Sequence, residues 1–319
     1  MNHIHKRIRE LEGFTAQTEA PGDLDAFWQE TLEAASGRPL NASREEAESL
    51  SPYIKTYKVV YEGYDDTPLH GWFLLPAFTA QPRPERLPCV VLYHGYTGSK
   101  GYPEQHAPWL LQGFAVFAVD VRGQGGDSGN LLPQTHGMSS GWITQGLLDP
   151  RQSYYRAAAV DAVRAVEWAA AQPEVDGQRV VTAGTSQGGG LSLLTGALSP
   201  IPALVLADLP NLCHMDYGIL NSTGSLTEAA KFVSRHPEHL DQVLHTLGYF
   251  DLLHLSARLH SPVFVSVGLK DTVCLPETVY AVYNRITVPK DIHVFPFNGH
   301  HTSGDHFRLQ VEWIRKQWG

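Results

Sequence analysis

The chain predicts an α/β fold built on a mostly parallel, doubly wound sheet with helices on both faces. Three observations carry that expectation. From residue 87 onward, short apolar runs of strand length alternate with segments of helix length. The apolar runs are nearly continuous, which is how strands buried on both faces read. The intervening segments are amphipathic: across 153–171, Tyr155, Ala159, Ala162, Val166 and Ala169 fall on one side. With 319 residues, 43% of them hydrophobic, one domain of this class spans 1–319.

The elements follow in order. Residues 22–35 read as an amphipathic helix capped by Asp23, with Leu24, Phe27, Trp28 and Leu32 on one face. Together with what precedes it and a polar connection over 37–55, this forms an N-terminal extension of about 1–55. KVVYEG and LHGWFLLPA make a hairpin around Tyr64–Pro68, and a Pro-rich surface loop follows at 80–88. LPCVVLYHG is a strand, PEQHAPWLLQG a short helix closed by Gly113, and FAVFAVDVRG the next strand. After the helix at 153–171 come the strand RVVTAG, a helix from Gly188 to about Leu198, and the strands ALVLAD, PVFVSVG and IHVFPF. FRLQVEWIRKQW closes the chain as a helix. Two intervals are too long for plain connections. Residues 123–152 are expected to be a lid or interface arm. Residues 209–261 contain the helical patterns TEAAKFVSRH and PEHLDQVLHTLG, and are expected to form a helical cap.

Composition excludes several classes of function. A net charge of −9 with the signs mixed argues against a nucleic-acid or anionic-membrane partner. There is no apolar run of membrane-spanning length. The opening MNHIHKRIRELEGF lacks the apolar core of a signal peptide, so a cytoplasmic location is expected. Cys89, Cys213 and Cys274 are too few and too far apart for a disulfide framework or a C-x-x-C zinc site, and are expected to be reduced and mostly buried.

The chemistry centres on Gly184-Thr185-Ser186-Gln187-Gly188. G-x-S-x-G suits a sharp strand-to-helix turn that lifts a serine hydroxyl above the sheet. Such a serine needs an acid and a histidine on later strand ends, in that order. Asp271 follows PVFVSVG and His300 follows IHVFPF, so Ser186, Asp271 and His300 are the candidate triad. Backbone N–H groups of Gln187 and of Tyr96, in the His94-Gly95-Tyr96 loop, are the candidate oxyanion donors; His94 itself reads as a structural side chain of that loop. Asp208 also ends a strand but reads as a cap or pocket wall. His301 is the alternative base. His301, Asp305 and His306 invite a metal reading, but no H-E-x-x-H pattern is present, and neighbouring His300 and His301 converge poorly on one ion. No metal or cofactor is expected. Gly98-Ser99-Lys100 and Gly123-Gln124-Gly125 match neither phosphate-loop nor dinucleotide patterns.

These motifs resemble the acetyl xylan esterases and cephalosporin C deacetylases of the α/β-hydrolase fold. The resemblance runs nearly end to end: LDAFW at 24–28, HGY at 94–96, RGQGG at 122–126, GWITQGLLD at 141–149, GTSQGG, VLADLPNL, GYFDLLHL and GLKDTVCLPETVYAVYN. Arg122-Gly123-Gln124, G-x-S-Q-G and a late His-Glu mark the family; here the last departs, because His301 stands where the Glu is expected. The pairing that this carboxylate makes in relatives must therefore differ, with consequences for histidine orientation or the pH range of activity. The resemblance implies Ser186, Asp271 and His300 as the triad, Tyr96 and Gln187 as oxyanion donors, and no cofactor. It implies a small acyl pocket for acetylated sugars or cephalosporin C-type esters, and a homo-hexameric ring with 123–152 as its interface arm. The alternatives are a broader short-chain carboxylesterase or peptidase of the same fold, a non-catalytic binding protein of that fold, and a zinc-dependent deacetylase.

Overall fold

The computed structural model describes residues 2–78, 85–137 and 140–319. Among them, nine strands form one sheet: β1 (Ser43–Ala47), β2 (Ile54–Glu62), β3 (Pro68–Pro76), β4 (Leu87–Tyr93), β5 (Ala115–Val119), β6 (Val175–Thr185), β7 (Pro202–Asp208), β8 (Val263–Gly268) and β9 (Lys290–Phe295). Their order is β1-β2-β3-β5-β4-β6-β7-β8-β9. From β5 to β9 neighbours are parallel, while β1, β2 and β3 add an antiparallel edge. The mostly parallel sheet expected from the alternation is present. The chain leaves β4 toward β5 and then crosses back to β6, so a topological switch lies between the C-terminal ends of β4 and β6, where such sheets form a crevice.

Alternation along each strand divides the core between the two faces. Val90, Val116, Val181, Leu204 and Phe264 point to one face, covered by α3 (Ala107–Leu111) and α11 (His306–Trp318) through Trp109, Leu110, Trp313 and Ile314. Val91, Phe117, Val180, Val205 and Val265 point to the other, covered by α4 (Tyr154–Ala170), α5 (Gln187–Leu198) and α10 (Pro276–Arg285). Ser153 caps α4 by accepting from Tyr155 N, and Gly113, at φ 84°, turns the chain out of α3.

The N-terminal region corrects three expectations. A first helix, α1 (His3–Glu12), precedes α2 (Leu24–Ser36), and Asn2 caps it through His5 N. The Asp23 side chain does not cap α2; it accepts instead from the Tyr249 hydroxyl. The polar stretch over 37–55 contains the edge strand β1, whose SREEA sequence has no apolar periodicity because neither of its faces meets the core. The Pro-rich loop at 80–88 lies largely outside the described residues.

Within 209–261 the chain forms α6 (Met215–Asn221), α7 (Leu226–Arg235), α8 (Leu240–Gly248) and α9 (Leu252–Leu255). This insertion docks on α2. Trp28, fully buried, donates from Nε1 to Tyr249 O at 2.9 Å, and Phe27 packs on Tyr249 and Phe250. Truncating Trp28 to alanine would cost about 3–5 kcal/mol.

Candidate active site

β6 ends in a tight turn at the crevice, centred on Ser186. Ser186 takes φ 60° and ψ −118°, a conformation that a non-glycine residue keeps only when its surroundings over-determine it. The flanking glycines explain the motif. A Cβ on Gly188 would lie 2.0 Å from Tyr93 O, and one on Gly184 would lie 2.5 Å from the same oxygen. The elbow therefore passes β4 at backbone distance. Backbone bonds hold it from both sides: Ser186 N donates to Asp208 O at 2.8 Å, and Asn211 N donates to Ser186 O at 2.9 Å.

Asp271 and His300 come together on the neighbouring strand ends. His300 Nδ1 lies 2.8 Å from Asp271 Oδ2, and Asp271 Oδ1 accepts from the N–H groups of Val273 and Cys274 at 2.8 and 3.0 Å. The carboxylate is fully covered, whereas the imidazole keeps 27% of its side-chain surface exposed. An acceptor at Nδ1 fixes the tautomer and leaves Nε2 free to take a proton. Among the described residues, no hydrogen bond joins His300 to Ser186. The hydrogen-bonding contact of Ser186 Oγ among the described residues is with Cys274 Sγ, 4.0 Å away. Burial, with Asp271 adding to it, pushes the Cys274 thiol up, so the sulfur faces the serine as a small neutral wall.

The loop after β4 is anchored by several side chains. His94 accepts from Val121 N at Nε2 (2.9 Å) and donates from Nδ1 to Gly95 O (2.8 Å), which makes it a structural strut. Thr97, at φ 67°, donates its N–H to Gln124 Oε1 at 2.9 Å. Gln124 Nε2 in turn donates to Gln187 Oε1 and to the Tyr154 hydroxyl, both at 2.9 Å. Gln124, of the Arg122-Gly123-Gln124 motif, thus ties the loop bearing Tyr96 to the residue after Ser186. Arg122 is wholly buried. Burial opposes its charge, but Asp161 and Asp65 outweigh burial and hold the guanidinium charged. It pairs with Asp161 at 2.6 and 2.8 Å and with Asp65 at 3.1 Å twice, closing the turn behind the motif.

Some contributors had no signal in the sequence. The Tyr96 hydroxyl donates to Glu228 of α7 at 2.6 Å and accepts from Trp142 N at 2.7 Å. Cys274 was legible only as a buried thiol. Other residues are directed away from the crevice chemistry. His306 pairs with Asp208, 2.5 Å apart, deep in the protein. His301 is exposed and, among the described residues, its ring makes no hydrogen bond, although its carbonyl accepts from Asn298 Nδ2.

A parallel sheet with an elbow at its switch point defines the class of this protein: it is an α/β-hydrolase. The comparisons narrow the class. The family model for acetyl xylan esterase (AXE1) matches residues 1–317. An acetyl xylan esterase from Paenibacillus sp. R4 superposes with a TM-score of 0.92 at 33% identity, covering 97% of this chain and 99% of that one. Acetyl xylan esterase 1 from Thermoanaerobacterium sp. JW/SL YS485 gives 0.91 at 28% identity, covering 98% and 99%. Acetyl esterase Axe7A of Xylanibacter ruminicola is 27% identical over 94% of this chain and 68% of its own length. An esterase from Pyrococcus furiosus, 18% identical at a TM-score of 0.57 over 88% of this chain and 98% of its own, shares the fold alone. The chain belongs to the acetyl xylan esterase family, hydrolases acting on ester bonds. No helix among the described residues is long and apolar enough to cross a membrane.

Proposed function

We propose that the protein removes acetyl groups from acetylated sugars and xylo-oligosaccharides or from cephalosporin C-type small esters through an acetyl-enzyme on Ser186. The observation that carries this reading is the 2.8 Å bond between buried Asp271 and half-open His300, beside a serine held at positive φ. His300 Nε2 takes the Ser186 proton as Oγ bonds to the acetyl carbon. Asp271 holds the ring and stabilises the imidazolium, and the N–H groups of Tyr96 and Gln187 receive the developing oxyanion. The carbon–oxygen bond to the alcohol then breaks, and His300 returns the proton to the departing oxygen. A water molecule, deprotonated by His300, repeats the sequence and releases acetate and free Ser186.

The preference for acetyl is supported by the match to the acetyl xylan esterase family model over residues 1–317. A ring-shaped homo-hexamer with 123–152 as its interface arm belongs to the same reading, supported by exposed Leu131 on that segment. So does a cytoplasmic location, supported by three free, buried cysteines.

Ser186→Ala should abolish p-nitrophenyl acetate hydrolysis and fluorophosphonate labelling in a protein with an unchanged melting temperature; surviving turnover would refute the nucleophile. A series of p-nitrophenyl esters should show rates falling steeply beyond short acyl chains. A flat series, or cleavage of peptides, would favour a broader carboxylesterase or a peptidase.

A further inference from the structure

We infer that Asp208, through its backbone carbonyl and its buried carboxylate, is a positioning residue that locks together the three segments bearing Ser186, Asp271 and His300; the inference rests on the proposed triad. Asp208 closes β7 and is reached from all three directions. Its backbone carbonyl accepts from Ser186 N at 2.8 Å, fixing the elbow. Its Oδ1 accepts from Ser266 Oγ at 2.9 Å, and Ser266 O accepts from Leu209 N at 3.0 Å, so β8 is tied to β7 just before the loop that carries Asp271. His306 Nε2 donates to Oδ1 at 2.5 Å and Gln310 Nε2 to Oδ2 at 2.9 Å, pinning the start of α11, where the loop bearing His300 ends.

The His306 ring has little freedom to leave this position. It stacks on Phe264 with centroids 6.0 Å apart and meets Phe295 edge-on at 5.4 Å. Its Nδ1 is buried with no protein partner among the described residues, so the hydrogen bonding of the ring runs through Nε2. The backbone beyond Asp208 shows what the lock must hold. Leu209, Leu212 and His214 all have positive φ, of 44°, 62° and 45°. Such a run of left-handed non-glycine residues persists only where neighbouring contacts enforce it. Asn211, in the middle of that run, donates its N–H to Ser186 O. Releasing Asp208 would therefore move the nucleophile and the base independently, and a displacement of about 1 Å in such a site can cost about 100-fold in rate.

The test measures kcat and KM for p-nitrophenyl acetate in His306→Ala, His306→Gln and Ser266→Ala, with Ser186→Ala alongside. His306→Ala should lower kcat about 10- to 100-fold with KM within about twofold of wild type. His306→Gln, whose amide can donate from the Nε2 position, should recover most of that loss. Ser266→Ala, which removes a single hydroxyl, should lower kcat about two- to fivefold. Wild-type kcat in folded His306→Ala, or a Gln variant as slow as the Ala variant, would overturn the inference. Should His306→Ala fail to fold, Ser266→Ala decides: reduced kcat at unchanged KM supports the lock, and wild-type kcat overturns it. Activity surviving in Ser186→Ala would bring down the proposed triad separately, whatever the His306 variants do.

Discussion

Two Asp–His pairs lie on adjacent strand ends of this sheet, and they are built for opposite purposes. Asp271 meets His300 through Nδ1 at 2.8 Å, with the ring 27% exposed and Nε2 left free. Asp208 meets His306 through Nε2 at 2.5 Å, with the ring 4% exposed and wedged between Phe264 and Phe295. The chemical groups are the same. The nitrogen engaged and the access of solvent differ, and those two variables decide whether a histidine can exchange a proton or only hold a position. The pairs should therefore separate cleanly when each is broken.

The largest effect is expected at the open pair. Asp271→Asn keeps the shape but presents an amide to His300 Nδ1, favouring the wrong tautomer. The kcat for p-nitrophenyl acetate should fall about 10³- to 10⁴-fold, while the urea midpoint shifts little. Asp208→Asn should show the reverse balance. Its carboxylate receives donors from Ser266, His306 and Gln310, and a buried amide N–H₂ would face at least one of them. Urea unfolding should report a loss of about 2–4 kcal/mol, larger than that of Asp271→Asn. Equal stability losses at the two sites would erase the distinction.

A third, intermediate effect concerns Gln124. Its amide oxygen accepts from Thr97 N and its amide nitrogen donates to Gln187, so Gln124→Leu cuts the link between the two candidate oxyanion-donor segments. Loss of about 10-fold in kcat is expected, with labelling of Ser186 by a fluorophosphonate slowed in parallel. Unchanged labelling would mean that the link does not hold the donors.

Much of this arrangement was legible in the sequence, for physical reasons. Strands buried on both faces announce themselves by continuous apolar runs, and an elbow requires small residues at fixed spacing. Ser186, Asp271 and His300 could be named as candidates because each follows a recognisable strand, and the fold brings Asp271 and His300 into contact. β1 was hidden because an edge strand with neither face in the core has no pattern to show. Glu228 was hidden because its partner, the Tyr96 hydroxyl, is 132 residues away, and an acid on an amphipathic helix normally faces water. Asp208 and His306 were visible singly, as a strand-end acid and a loop histidine. Their pairing, 98 residues apart, needed the fold.

The smallest expected effect comes from the Arg122 cluster, where a half-buried and a buried carboxylate share one guanidinium. Asp161 retains 8% of its side-chain surface and Asp65 retains 25%. Burial pushes the Asp65 carboxyl up, but the hydrogen bonds and charge of Arg122 outweigh that and bring it below its usual 3.8. A depressed folded value means that the unfolded chain binds the proton more readily. The stabilisation from this contact is thus complete above about pH 4 and is lost as pH falls through the folded value. At neutral pH, Asp65→Asn should lower stability by about 1 kcal/mol, since the pair is partly solvated. Below pH 4 the wild type loses the same contribution, so the urea midpoints of the two proteins should converge as pH falls. A gap that stays constant from pH 7 to pH 3 would show that Arg122 draws its support from Asp161 alone, and that exposure had already silenced the second carboxylate.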